Sequence, residues 1–195
     1  MRIAKTHRKT AETDIAISLN IDGSGSYAIN TGIPFLDHML SAMTKHGVFD
    51  LELSVKGDLE IDIHHSNEDV GIALGAAFAQ ALGDKKGIVR YATAIVPLDE
   101  ALVRTVLDVS GRPYLHVEPE TIEYPEKDVY TWSYFKQFLR AFMNGAGLNI
   151  HVDVIRGEDP HHILECAFKS LGIALDNATK IDPRKSGVPS TKGIL

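Results

Sequence analysis

His64-His65-Ser66-Asn67-Glu68 recurs as His161-His162-Ile163-Leu164-Glu165, 97 positions on (64 to 161). With nine His and eleven Glu in 195 residues, chance supplies one His-His-x-x-Glu only about 0.02 times. The flanks repeat as well. Phe35-Leu36-Asp37-His38-Met39-Leu40 is echoed by Tyr134-Phe135-Lys136-Gln137-Phe138-Leu139, and Glu12 to Gly23 by Glu100 to Gly111. Three matches in one order indicate a duplication. No Pro- or Ser-rich linker separates the halves. The expectation is one domain over 1–195, built from two pseudo-symmetric repeats at 1–86 and 87–185, with a C-terminal tail at 186–195.

Each repeat reads alike. Asp14 to Asn20 alternates Ile15, Ile17 and Leu19 with polar neighbours, the period of a half-buried strand. Asp22-Gly23-Ser24-Gly25 carries a hairpin turn signal. Helical spacing follows over Phe35 to His46, then a strand through Leu51, Leu53 and Val55 and a turn at Lys56-Gly57-Asp58. A small-residue helix follows over Asn67 to Leu82. The second repeat gives a strand at Ala101 to Val109, a helix at Tyr134 to Met143, a strand at Leu148 to Ile155 and a helix at Glu165 to Ala178. These patterns predict an α+β fold of duplicated half-domains, a mostly antiparallel sheet with helices packed on one face.

Composition narrows the class. Twenty Lys+Arg against 26 Asp+Glu give a net charge of −6, with 44% apolar and 24% charged residues. Those are the proportions of a globular chain. The acidic balance argues against nucleic-acid binding, which needs clustered cations to displace counterions. A single cysteine, Cys166, forms no internal disulfide, and the polar Met1 to Asp14 has no signal-peptide core. The least polar stretch, Gly71 to Gly83, is too short to cross a bilayer. The expectation is a cytoplasmic protein with no nucleic-acid or membrane partner.

The duplicated motif suggests a metal site. Residues i and i+4 share a helix face, so His64 with Glu68, and His161 with Glu165, can each grip one cation. His65 and His162 sit roughly 100° round and point elsewhere. The simplest use gives each metal a His/Glu pair from one motif and the second His of the other, with His38 completing one shell. Imidazole with carboxylate suits Mn, Fe, Co or Zn better than Mg or Ca. Lys169, i+4 from Glu165, lies on the same stripe; the plainer reading is an ordinary Glu–Lys helix pair. Arg90, Arg112 and the tail Pro189-Ser190-Thr191-Lys192-Gly193 are further cations and hydroxyls, suited to a small phosphorylated substrate. No Walker-type loop or GxGxxG follows a strand.

Thr31-Gly32-Ile33-Pro34-Phe35-Leu36-Asp37-His38, both His-His-x-x-Glu motifs, Pro97-Leu98-Asp99-Glu100, Ser110-Gly111-Arg112-Pro113, Phe168-Lys169 and Pro189-Ser190-Thr191-Lys192-Gly193 together resemble the imidazoleglycerol-phosphate dehydratases of histidine biosynthesis. The resemblance runs over nearly the whole chain. It implies a metal-dependent hydro-lyase that converts imidazoleglycerol phosphate to imidazoleacetol phosphate. It also implies two Mn2+ per active site, a cage-like homo-oligomer (a 24-mer), and active sites between subunits. By position it places metal ligands on His38, His64, His65, Glu68, His161, His162 and Glu165. Phosphate contacts fall on Arg90, Arg112, Lys169, Ser190 and Lys192, and Glu12 falls near the glycerol hydroxyls. Glu165, His65 and Glu12 are its acid–base candidates. Gln137, the duplicate of His38, stands where the family offers a His or an acid; a neutral amide there implies that one metal is held less tightly. The alternative is a dimetal phosphohydrolase acting on a small phosphorylated metabolite, and a non-enzymatic alternative is a metal-held structural cage.

Overall fold

The two repeats fold by the same element order. In the computed structural model, which describes residues 1–124 and 130–195, the first runs β1 (Ile3–Lys9), β2 (Thr13–Asn20), β3 (Tyr27–Asn30), α1 (Pro34–His46), β4 (Asp50–Gly57) and α2 (His64–Leu82). The second runs β5 (Tyr91–Leu98), β6 (Ala101–Asp108), β7 (Tyr114–Glu118), α3 (Trp132–Ala146), β8 (Asn149–Arg156) and α4 (Pro160–Thr179). Alternation drives the central strands: β2 buries Ile15, Ile17 and Leu19, while β6 buries Ala101, Val103 and Leu107. The other face is less buried, with Asp14, Ala16, Ser18 and Asn20 on β2 and Leu102, Arg104, Val106 and Asp108 on β6, so each sheet has one fully buried side to cover.

Two four-stranded sheets form where the sequence suggested one. Their orders are β1-β2-β4-β3 and β5-β6-β8-β7. The β1–β2 and β2–β4 pairs and their counterparts are antiparallel, whereas β3 joins β4, and β7 joins β8, in parallel. The strands that escape the apolar alternation lie at sheet edges: β1 buries Ala4 alone, and β3 buries none of its residues. The hairpin expected at Asp22–Gly25 is also corrected. β2 and β3 do not pair, because β4 lies between them. The segment is a crossover loop instead, pinned by Asp50 Oδ1, which accepts from Ser24 N at 2.8 Å, Ser24 Oγ at 3.1 Å and Ser26 N at 3.1 Å. Turn-forming residues there serve a strand exchange, not a two-strand ribbon.

The helices interleave the repeats. α2 covers β1, β2 and β4, and α4 covers β5 and β6; α1 of the first repeat packs on α4, and α3 of the second on α2. One continuous core results, with Phe135, Phe138, Phe142, Phe168 and Trp132 fully buried. The α1–α4 and α2–α3 crossings are close enough to exclude a side chain. A Cβ on Gly172 would sit 2.2 Å from the Met43 carbonyl oxygen, and one on Gly75 2.4 Å from that of Phe142. Gly75 and Gly172 are 97 positions apart, the offset of the His motifs, and both crossings set helices from opposite repeats against each other.

Candidate active site

Both motifs open a helix, three residues earlier than periodicity suggested for α2. An aspartate two positions upstream fixes each start: Asp159 Oδ1 accepts from His161 N at 2.8 Å, and Asp62 accepts from His64 N. Such a side chain satisfies an otherwise unpaired amide of the first turn. The paired imidazoles diverge almost identically in the two copies. Ring centroids are 6.0 Å apart at 84° for His64–His65, and 6.1 Å at 86° for His161–His162.

At the start of α4 three donors converge. His161 Nε2 lies 3.3 Å and His38 Nε2 3.5 Å from Glu165 Oε2, and the ligand atoms of the three residues fall within 4.8 Å of one another. His38 arrives on α1, the helix packed against α4. Two nitrogens and a carboxylate, with both histidines about half exposed, are donors that a first-row divalent ion accepts. Lys169 Nζ holds the other oxygen, Oε1, at 2.6 Å. Burial pushes the Glu165 carboxyl up, but the Lys169 bond and charge, aided by His38, more than offset it and leave it below the ordinary range. Glu165 therefore stays ionised.

The α2 copy keeps the geometry but changes one donor. His64 Nε2 lies 3.6 Å from Glu68 Oε2, and the third position, held by His38 in the other copy, is Gln137 on α3, whose Nε2 meets His64 Nε2. Among the described residues, only the His38 cluster gathers three His, Cys or acidic donors closely. Lys136, a neighbour of Gln137 in sequence, turns away to Glu120, donating to its carboxylate at 2.5 Å and its carbonyl at 2.6 Å. A groove of about 650 Å3 runs beside Glu68 and Gln137, lined also by Lys136 and Arg140.

His65 and His162 point away from their own clusters, as expected, and each meets a carboxylate. His65 Nδ1 is 2.9 Å from Asp58 Oδ2, and His162 Nδ1 is 2.9 Å from Glu100 Oε2. The hydrogen bond to Asp58 raises the His65 pKa, and that to Glu100 raises His162. Glu100 itself is held down to about 2 by the Asp159 backbone amide first and His162 second. With the proton on Nδ1, Nε2 of each ring carries the lone pair, the arrangement in which a carboxylate orients a metal-binding histidine. Sequence reasoning missed Asp58 and Glu100. The signal for Glu100 was available: it duplicates Glu12, which lies 3.9 Å from His65 Nδ1. In the first repeat Asp58 takes the nearer place and Glu12 stays half exposed.

The cations divide into two groups. Arg90, Arg112, Ser190 and Lys192 line one cleft of about 560 Å3 together with Tyr91, Pro189 and Thr191. Arg90 is held by Asp108 at 2.7 Å and donates to the Pro189 carbonyl at 2.8 Å, which ties the tail to the sheet. Its backbone has φ 84, a conformation costing roughly 1–3 kcal/mol for a non-glycine residue. Bonds from Arg90 N to Ala178 O and from Val109 N to Arg90 O hold that conformation. Lys169 does not line this cleft; it stands beside Glu165.

A doubled α+β fold with imidazoles and carboxylates at two helix starts, and cations in a separate cleft, is that of an enzyme for a small anionic molecule. The profile of the imidazoleglycerol-phosphate dehydratase family matches residues 31–175. The imidazoleglycerol-phosphate dehydratase of Caldanaerobacter subterraneus subsp. tengcongensis is 55% identical over the full length of both chains, and that of Thermoanaerobacter pseudethanolicus 53%. The crystal structure from Staphylococcus aureus aligns with TM-score 0.82 at 36% identity, covering 92% of this chain and 99% of that one. IGPD from Pyrococcus furiosus, solved in complex with (S)-C348, aligns with TM-score 0.83 at 36% identity, covering 97% and 100%. The chain belongs to the imidazoleglycerol-phosphate dehydratase family. Nothing in these matches favours the phosphohydrolase alternative.

Proposed function

We propose that the chain dehydrates imidazoleglycerol phosphate to imidazoleacetol phosphate in histidine biosynthesis. In this reading it works as a homo-oligomer whose active sites lie between neighbouring copies and hold two Mn2+ each. One observation carries the shared-site reading. The His161 cluster opens α4, while Arg90 binds the carbonyl of Ala178 in its last turn. Seventeen residues of helix separate them, about 25 Å at 1.5 Å per residue. A small phosphorylated imidazole cannot span that, so a ring held at the His161 cluster and a phosphate held in the Arg90 cleft need groups from different chains. His65 and His162 support the same view, since each presents its lone pair away from its own cluster.

His38, His161 and Glu165 would hold one ion, and His64 with Glu68 the other, with His65 and His162 of neighbouring copies completing the shells. Bound there, a dication supplies Lewis-acid stabilisation of an electron-rich imidazole ring. The chain's own groups do the rest. Arg112, Ser190 and Lys192, with Arg90 braced by Asp108, hold the phosphate and fix the glycerol carbons relative to the ring. Lys169 keeps Glu165 ionised. Elimination removes the C2 proton and the C3 hydroxyl, which leaves as water after taking a proton, and the enol so formed becomes the ketone by gaining a proton at C3 and losing that of the C2 hydroxyl. Glu165, ion-paired with Lys169, suits a ligand better than a base. Half-exposed Glu12, beside His65, suits proton transfer, and His65 is the remaining candidate. With one buried cysteine and, among the described residues, no helix long and apolar enough to cross a membrane, the chain suits the cytoplasm.

The test is ketone formation from imidazoleglycerol phosphate by purified protein with Mn2+, with assembly mass followed by light scattering. Ketone from a multimer supports the reading. Release of inorganic phosphate, or full activity from a monomer, would refute it.

A further inference from the structure

The duplication gives each repeat a metal-capable cluster, but the two differ at one pair of equivalent positions, His38 and Gln137. A glutamine side chain carries one atom able to ligate a cation, Oε1, and one group that cannot, the NH2. Which of the two faces His64 is settled by accounting for every partner in the chain of bonds behind it. The Tyr134 carbonyl can only accept, and it accepts from Asn67 Nδ2 at 2.9 Å. Asn67 Oδ1 in turn accepts from the buried Tyr130 hydroxyl at 2.8 Å. Asn67 is itself fully buried, so its amide has no water to turn toward. Its second N–H points to Gln137 Oε1 at 3.1 Å. Turning Gln137 over would set its NH2 against that of Asn67, two donors facing each other. The oxygen is thus engaged by Asn67, and the NH2 is presented to His64 Nε2, the same nitrogen that faces Glu68.

We infer that Gln137 is a hydrogen-bond donor that caps His64 and not a metal ligand, so that the two clusters of one chain bind divalent cations with unequal affinity. The His38–His161–Glu165 cluster is the tight site and the His64–Glu68 cluster the weak one. An incoming cation at His64 must displace the amide and then face the positive end of its dipole. At the other cluster two imidazoles and a carboxylate already converge. No equivalent relay exists there, because the counterpart of Asn67 is the apolar Leu164. The inference rests on the proposal that both clusters hold metal. It adds that Asn67, through Gln137, sets the difference between them.

The test is a titration of the metal-free full-length protein with Mn2+, following free ion by electron paramagnetic resonance. Two classes of one ion per chain are expected, with affinities differing on the order of tenfold or more. Gln137→Glu keeps the shape, leaves one oxygen for Asn67 and offers the other to the metal, so the weak class should tighten on the order of tenfold or more. Gln137→Leu removes the amide without adding a ligand, and the weak class should hold or tighten. A fall in its affinity would mean that the glutamine oxygen ligates, which overturns the inference. Two equal classes in the unaltered chain would overturn it as well, while leaving the two-metal reading standing. No Mn2+ uptake at all would remove both.

Discussion

Replacing Gly172 by Ala tests whether the close helix crossing builds the site. The added Cβ would lie 2.2 Å from the Met43 carbonyl oxygen, 3.0 Å from its carbon and 3.2 Å from Gly47 N. All three are backbone atoms, so no side chain can swing aside; α1 must move off α4 by roughly 1 Å to regain ordinary contact. Overpacking of this kind costs about 3 kcal/mol at the severe end. Alanine returns about 1 kcal/mol of helix propensity. The net loss of about 2 kcal/mol lowers Tm by roughly 4–8 °C for a chain of this size. The displaced helix carries His38, 3.5 Å from Glu165 across the same crossing. A shift of about 1 Å at such a constellation costs on the order of 100-fold in rate. Thermal unfolding of the metal-free protein and kcat for imidazoleglycerol phosphate measure the two effects. A variant about 1 kcal/mol more stable, as propensity alone dictates, with an unchanged kcat would show that the crossing tolerates a side chain and that the reasoning is wrong.

Lys192→Ala should raise KM for the phosphorylated substrate with little change in kcat, and steady-state kinetics showing an unaltered KM would take the tail out of the phosphate cleft. Glu100→Gln should lower Mn2+ affinity by about 10- to 100-fold, the usual effect of losing a partner that orients a ligating histidine; calorimetry checks it. His65 and His162 have pKa values raised above 6.5 by Asp58 and Glu100. In metal-free protein their pairing thus adds stability that is fully present below that pH and is lost as pH rises through the raised values. Tm measured against pH in chelator should fall less steeply on the alkaline side for Asp58→Asn with Glu100→Gln than for the unaltered chain. His162→Ala should abolish turnover and impair metal-driven assembly together, and a variant keeping normal rate and metal content would refute the shared-site reading.

The duplication was legible because chemistry-bearing residues survive at fixed offsets, and so was the equivalence of His38 and Gln137; that each joins the motif of the opposite repeat came only from the fold, through the packing of α1 on α4 and of α3 on α2. Alternation in β2 and β6 revealed the central strands, since one face of each is buried. β1 and β3 escaped because edge strands bury little and need no apolar period. The strand order within each sheet was hidden for a different reason. Which strands pair depends on where the crossover after β2 lands, and Asp50, which receives that loop, lies 28 positions beyond Asp22. Within the site, i,i+4 spacing predicted the His–Glu pairs directly. Asp58 looked like one more turn residue, and Asn67 like one more polar position near a helix start. Their importance comes from contacts to His65, Gln137 and Tyr130 that only the folded chain brings about.

The distance along α4 between its first turn and the Arg90 cleft has a genetic consequence. If active sites are shared between copies as proposed, a chain damaged at His161 and another damaged at Lys192 should fail separately, each for want of what the other retains. Co-assembled, the intact histidines of one meet the intact tail of the other, so two inactive alleles should complement when their products are expressed in the same cell.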